Sequence, residues 1–129
     1  MVIKSTNPKI EFVPPETKLH AFFDVISEKK IIFQVIKMQS SVMIFVNNQD
    51  VMNCDNIVMA MKTRFSDTPC STTLMGNLTE LVGNNIASRL SKKLEKPVYL
   101  SFNLDDDKVL VPLVEERLFQ EIQQSPECF

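Results

Sequence analysis

Strand-like apolar segments separated by short polar turns fill residues 19–74, and a helical period then appears twice, before and after an alternating stretch at 98–104. From residue 19, Leu19, Ala21, Phe23 and Val25 share one face and His20, Phe22, Asp24 and Ile26 the other, which predicts a strand with its Leu19 face strongly buried. Residues 27–30 form a polar turn. A β-branched and aromatic run follows at 31–39, Ser40 and Ser41 turn the chain, and residues 42–46 are continuously apolar. Strands joined by such short turns are antiparallel neighbours. Residues 47–56 form a polar loop. Residues 57–61 begin a fourth strand, a break is expected at Ser66-Asp67-Thr68-Pro69, and a fifth strand runs through 70–74 to Gly76.

Leu78, Val82, Ile86, Leu90 and Leu94 recur every four residues, with Leu81 and Ala87 beside them. They predict a helix capped by Asn77, though Gly83 permits a start as late as Asn84. Lys96-Pro97 ends it. Alternation returns at 98–104 as a sixth strand, Asp105-Asp106-Asp107 makes a turn and a cap, and a last helix runs from Val109 or Pro112 to Gln124. The expected fold class is therefore α+β: a single six-stranded antiparallel sheet flanked by two helices. Residues 1–16, with Pro8, Pro14 and Pro15, read as a flexible N-terminal extension, and 17–129 as one domain.

Six strands at ~4.8 Å spacing span about 29 Å. Two helices of ~10 Å cover one face of such a sheet and little more. Strands two, three and four are apolar at consecutive positions, where an antiparallel sheet with one wet face would alternate cleanly. The surplus implies a second subunit docked on the sheet face, with the extension or long loops as the other candidate cover. Phe33, Val35, Ile44, Phe45 and Val58, with Arg64 beside them in sequence, are the expected contributors to that interface. Met43, Met52, Met59 and Met61 serve as core filler or as an adaptable part of it.

Composition narrows the class without naming a reaction. Hydrophobic residues make up 44% of the 129 and charged residues 23%, and the net charge of −2 gives no global field for nucleic acid or acidic lipid. Three widely spaced cysteines form neither a disulfide framework nor a zinc knuckle, and fit a reducing, cytoplasmic setting, with the nucleus open as a second one. With no signal-like start and no long apolar run, a soluble intracellular protein is expected.

Candidate chemistry is sparse. His20 is the single histidine; beside Cys70 or Ser71 it would make a nucleophile–base pair, but no nucleophile elbow or glycine-lined oxyanion loop accompanies them. Residues 105–107 lack the ligand spacing of a calcium loop. Arg89, Lys92, Lys93 and Lys96 form a basic helix face without interleaved aromatics, which favours a solvated surface or an acidic protein partner over nucleic acid. No catalytic, metal or cofactor set is expected.

The run AMKTRFSDTPCSTTLMG at 60–76 resembles the signature of the proteasome assembly chaperone 4 family. Leu19-His20, Ala87-Ser88-Arg89-Leu90, VYLSFNL at 98–104, Leu113-Val114-Glu115-Glu116-Arg117 and Ser125-Pro126-Glu127-Cys128-Phe129 agree in order and spacing, so the likeness covers residues 17–129. Pro112 and the extension depart from it. The resemblance implies a non-enzymatic chaperone of 20S proteasome assembly that pairs with proteasome assembly chaperone 3, binds α-type subunits while the α-ring forms, and needs no cofactor, nucleic acid or membrane. A generic dimeric adaptor of roadblock-like type is the other reading of the same architecture.

Overall fold

Strand β1 (Lys18–Ile26) turns back on itself into β2 (Lys29–Lys37) through Ser27 and Glu28, both with positive φ (51° and 65°). That is the left-handed pair whose twist matches the two strands it joins. The computed structural model describes residues 8–49, 53–105 and 107–129; residues 1–7 of the expected extension, Met52 and Asp106 lie outside them. β3 (Val42–Asn48), β4 (Ile57–Thr63), β5 (Ser66–Met75), helix α1 (Val82–Leu94), β6 (Val98–Phe102) and helix α2 (Leu110–Gln124) follow, and a short 3-10 turn at Pro126–Cys128 closes the chain.

The six strands form one sheet in the order β1-β2-β3-β6-β4-β5. The expectation of a wholly antiparallel sheet is corrected at one ladder: β3 and β6 are parallel, with Val42 opposite Val98 and Val46 opposite Phe102. The cause is topological. β3 and β4 point in opposite directions, and β6 enters between them, so it must run parallel to one whichever way it points. It is antiparallel to β4, with Ala60 opposite Val98.

Both helices lie on the same side of the sheet. Beneath them Ile31, Phe33 and Val35 of β2, Val42, Ile44 and Val46 of β3, Val58 and Ala60 of β4, and Val98 and Leu100 of β6 are almost wholly excluded from solvent. Ile86 and Leu90 of α1 and Val114 and Leu118 of α2 close the core from above. At Gly83 the helix comes so near the sheet that a Cβ would stand 3.3 Å from Val58 Cγ2, so this glycine serves close packing. Arg89 and Glu115 pair across the two helices, Nη2 to Oε2 at 2.8 Å.

Two local expectations change, and the start of the last helix, left open between Val109 and Pro112, is settled. α1 begins at Val82, not at Asn77: the Asn77 carboxamide accepts from the Thr79 N–H and hydroxyl in a turn, and Leu78 and Leu81 of the expected stripe are exposed. The break expected at residues 66–69 is strand, and the turn sits at Arg64 and Phe65. Register passes from Thr63↔Ser66 to Met61↔Cys70, so Pro69 stands in a bulge of an edge strand, where a missing donor costs no ladder bond. α2 starts at Leu110, which puts Pro112 in the first turn. Asp107 Oδ1 accepts the Val109 and Leu110 N–H groups there, and those bonds hold its carboxyl below the usual range.

Candidate functional site

The strand side chains not under the helices make the second face of the sheet, and this face is the candidate site. Residues directly opposite one another across a ladder share a face, so the registers define it. One row crosses every strand: Leu19 opposite Ile36, Ile36 opposite Met43, Met43 opposite Tyr99, Tyr99 opposite Met59, Met59 opposite Thr72. Next to it run Ala21, Gln34, Phe45 and Ser101, then Phe23, Ile32 and Asn47. Lys30, whose ammonium sits 4.3 Å over the Phe23 ring, is the charged strand residue of this face and lies at its rim.

β1 reverses its expected orientation. Leu19 is 75% exposed, Phe23 60% and Val25 62%, while His20, Phe22, Asp24 and Ile26 turn to the helices. Polar α2 explains this. Glu121 Oε1 lies 2.8 Å from His20 Nε2, Arg117 Nη1 donates to Glu121 Oε2 at 2.9 Å, and Arg117 Nε lies 3.2 Å from Asp24 Oδ2. The Arg117 guanidinium also caps the Phe22 ring, which stacks on Phe33 with centroids 4.6 Å apart. The strand thus gives its hydrogen-bonding side to the helix and its apolar side to the open face. Burial acts to raise the Glu121 carboxyl, but the hydrogen bonds and charges of His20 and Arg117 hold it below the usual range.

The expected interface residues divide between the two faces. Phe33, Val35, Ile44 and Val58 are buried in the core beneath the helices, so the expectation that they meet a partner is corrected. The physical reason is strand parity: in a run apolar on both faces, period alone does not tell one face from the other. Phe45 lies on the open face, half-buried between Gln34 and Ser101. Arg64 is exposed in the β4–β5 turn, and its neighbour Phe65 is 96% exposed. Of the open row, the sequence pattern offered Met43 and Met59 only as core filler or an adaptable part of an interface, and it passed over Leu19, Tyr99 and Ile36, the last of which adjoins Val35.

Among the described residues, loop cover reaches one end of this face. The Asn53 N–H donates to Asn47 Oδ1, Asn103 Nδ2 donates to the Asn53 carbonyl and to Ser101 Oγ, and Cys54 Sγ sits 3.7 Å from Ser101 Oγ, which buries Asn47 and Ser101. The described part of the extension gives no cover: Ile10, Phe12 and Val13 are all at least 73% exposed. A shallow depression of about 300 Å3 remains among Leu19, Ala21, Gln34, Ile36 and Phe45.

The sheet order separates the groups weighed for catalysis. His20 is on the outer strand β1, and Cys70 and Ser71 are on the opposite outer strand β5, five strand spacings or about 24 Å away. Ser71 and Thr73 instead meet Asn84 of α1, and His20 is held by Glu121. Among the described residues no group of three or more His, Cys, Asp or Glu is placed to hold a metal ion, and no helix is long and apolar enough to cross a membrane. A cleft of about 320 Å3 at the start of α1, walled by Thr73, Asn77, Glu80 and Asp105 among others, is lined by no histidine, cysteine or cation.

Known proteins are similar to this chain in sequence or in fold. The family model described as proteasome assembly chaperone 4 matches residues 30–104. Proteins named proteasome assembly chaperone 4 from Homo sapiens and Mus musculus are each 30% identical over 115 residues, which covers 88% of this chain and 92% of theirs. A chain from the crystal structure of a novel chaperone complex for yeast 20S proteasome assembly superposes with a TM-score of 0.57 at 9% identity, over 84% of this chain and 93% of that one; it bears on the fold alone.

Proposed function

This chain belongs to the proteasome assembly chaperone 4 family, and on that premise we propose that it is a chaperone of 20S proteasome assembly that works through paired protein surfaces and not through catalysis. In this reading it pairs with proteasome assembly chaperone 3 through the open sheet face and binds α-type subunits while the α-ring forms, in the cytoplasm and the nucleus. The observation that carries the pairing is the uncovered row Leu19, Ile36, Met43, Tyr99 and Met59. A face about 24 Å across five strand spacings and ~20 Å along six residues has the order of size of the ~800 Å2 that each partner contributes to a stable complex. Its centre is apolar, aromatic and methionine-rich with charge kept to the rim, which is the anatomy of a protein interface core.

The test is co-expression of this chain with proteasome assembly chaperone 3, followed by purification through one partner and addition of individual α-type and β-type subunits. The native chain is expected to recover its sister in equal amount and to retain α-type subunits selectively. Phe45→Asp, which adds a charge to the open face without entering the core, is expected to stay folded and lose the sister. A folded Phe45→Asp variant that still co-purifies with the sister would refute the face assignment. Failure of the native chain to retain any α-type subunit would refute the chaperone reading.

A further inference from the structure

The end of the sheet at which β6 begins gathers positive charge that the fold leaves unneutralised. Lys18 and Lys37 stand directly opposite each other at the last rung of the β1–β2 ladder. Like charges in that arrangement oppose strand pairing. Lys96, which leads into β6, lies near enough to Lys37 that burial, and then the Lys37 charge, keep its amine below the ordinary value. Lys92 and Lys93 occupy the last turn of α1 just before it. The β4–β5 hairpin carries Arg64 past the same end, since β4 and β6 are antiparallel and Ala60 is already opposite Val98.

None of these six cations forms an ion pair among the described residues, and Lys37 donates instead to the Glu127 carbonyl at 2.8 Å. The other cations packed against α1 and α2 are neutralised: Arg89 by Glu115, and Arg117 by Asp24 and Glu121. Glu16, Asp67, Glu95 and Glu127 lie towards the basic end in sequence but salt-bridge none of the six. The α1 dipole accounts for Lys92 and Lys93 in a last helical turn. It does not account for Lys18 facing Lys37, or for Lys96 beside Lys37. Because the net charge is −2, this concentration is balanced elsewhere: Asp24, Glu28, Asp55, Asp105 and Asp107 lie around the opposite end of the strands, where they outnumber Lys29, Lys30 and Lys108.

We propose that this basic end is a second docking surface, distinct from the apolar open face, and that its partner is an acidic protein surface on the α-type subunit. The inference rests on the chaperone reading above and adds to it which part of the chain meets the subunit. The backbone anchors of these cations are fixed at strand ends, a helix end and a tight hairpin, so little loop ordering remains to be done on contact. They spread over about five strand spacings, ~24 Å, which suits a protein surface. A net-negative chain whose patch carries one exposed aromatic among the described residues, Phe65 beside Arg64, lacks the interleaved stacking platform of a nucleic-acid surface. Complementary charge of this kind raises the association rate and selects orientation, and it loses effect as the Debye length falls below ~10 Å.

Lys18→Glu separates this role from a structural one. The substitution converts the like-charged rung into an opposite-charged pair, so the melting temperature should hold or rise while the basic end is weakened. The full chain paired with its sister, and a purified α-type subunit, are measured by surface resonance at about 0.05 M and 0.5 M salt. The expected result is at least a fivefold loss of subunit affinity at low salt, carried by the association rate and largely abolished at high salt, with sister pairing intact. Lys108→Glu, at the other end of the strands, should leave affinity unchanged. If Lys18→Glu and the triple variant Lys18→Glu/Lys92→Glu/Lys93→Glu both fold and bind the subunit with native affinity and salt slope, the inference is overturned and the chaperone reading stands. If the native chain binds no α-type subunit, both fall. Loss of duplex DNA or anionic-vesicle binding in place of subunit binding would also overturn it.

Discussion

His20 and Glu121 meet at 2.8 Å, Nε2 to Oε1, and so join the outermost strand of the sheet to the last helix of the chain. Phe129 packs edge-on to the same imidazole with ring centroids 6.4 Å apart, and is itself buried. The chain's single histidine is therefore a bracket between β1 and the C-terminal segment. Glu121→Ala removes the acceptor shared by His20 and Arg117 and leaves both donors short of a partner. A loss of ~1–3 kcal/mol is expected in urea unfolding. An unchanged unfolding midpoint would show that the bracket contributes nothing.

Acid should act through the same carboxylate. Its pKa is held below the usual range in the fold. The stabilisation it contributes is therefore complete above the unfolded value of about 4.5 and is lost as pH falls through the lower folded value. Glu121→Gln should flatten the fall in melting temperature below about pH 4.5 relative to the native chain. Parallel melting curves for the two proteins from pH 6 to 3 would contradict this.

The two faces of the sheet should respond oppositely to substitution. Phe33→Ala opens a cavity under the helices and should cost about 3–5 kcal/mol of stability. Leu19→Asp places a charge where the side chain is already 75% exposed, so the isolated chain should unfold within ~0.5 kcal/mol of native. Its pairing with the sister chaperone should nonetheless fall by at least tenfold. A Leu19→Asp variant that pairs normally would remove β1 from the interface.

Gly76 ends β5 with φ at +112°, and a Cβ there would stand 2.8 Å from Asn56 Cβ. Asn56 cannot yield freely, since its carboxamide donates to the Phe102 carbonyl and accepts from the Phe102 N–H. Gly76→Ala is expected to destabilise by about 1–3 kcal/mol, the combined effect of a left-handed backbone and a close contact. Hydrogen exchange should show the loss first at the β4 and β6 ends nearest Asn56.

Strand existence along the chain was legible because period two persists through β1 and β6 and short polar turns bound the apolar runs of β2 to β4, and the α1 stripe was legible from Val82 onward. What the pattern left open follows from three physical facts. Consecutive apolar residues in β2, β3 and β4 satisfy either parity, so Phe33 and Ile44 could not be told from Ile32 and Phe45. The polar residues His20, Asp24, Arg117 and Glu121 read as solvent-facing, whereas their mutual neutralisation lets that side of β1 turn inward. Strand insertion is a long-range choice: nothing in residues 98–102 states that they enter between β3 and β4 instead of joining an edge. A signal for the β1 orientation was present, since a face bearing histidine and aspartate opposite an amphipathic helix bearing arginine and glutamate is electrostatically matched.

The position of β6 also governs the order in which the molecule can form. β1 to β3 make one meander and β4 with β5 a separate hairpin, and neither touches the other through backbone hydrogen bonds until residues 98–102 arrive. On the ribosome, the two parts emerge with exposed inner edges at β3 and β4 and wait for the central strand. A nascent chain arrested before Val98 would hold two unsealed half-sheets, each a template for pairing with the wrong molecule. The last strand to be made thus ends a period of vulnerability that spans the synthesis of nearly the whole chain.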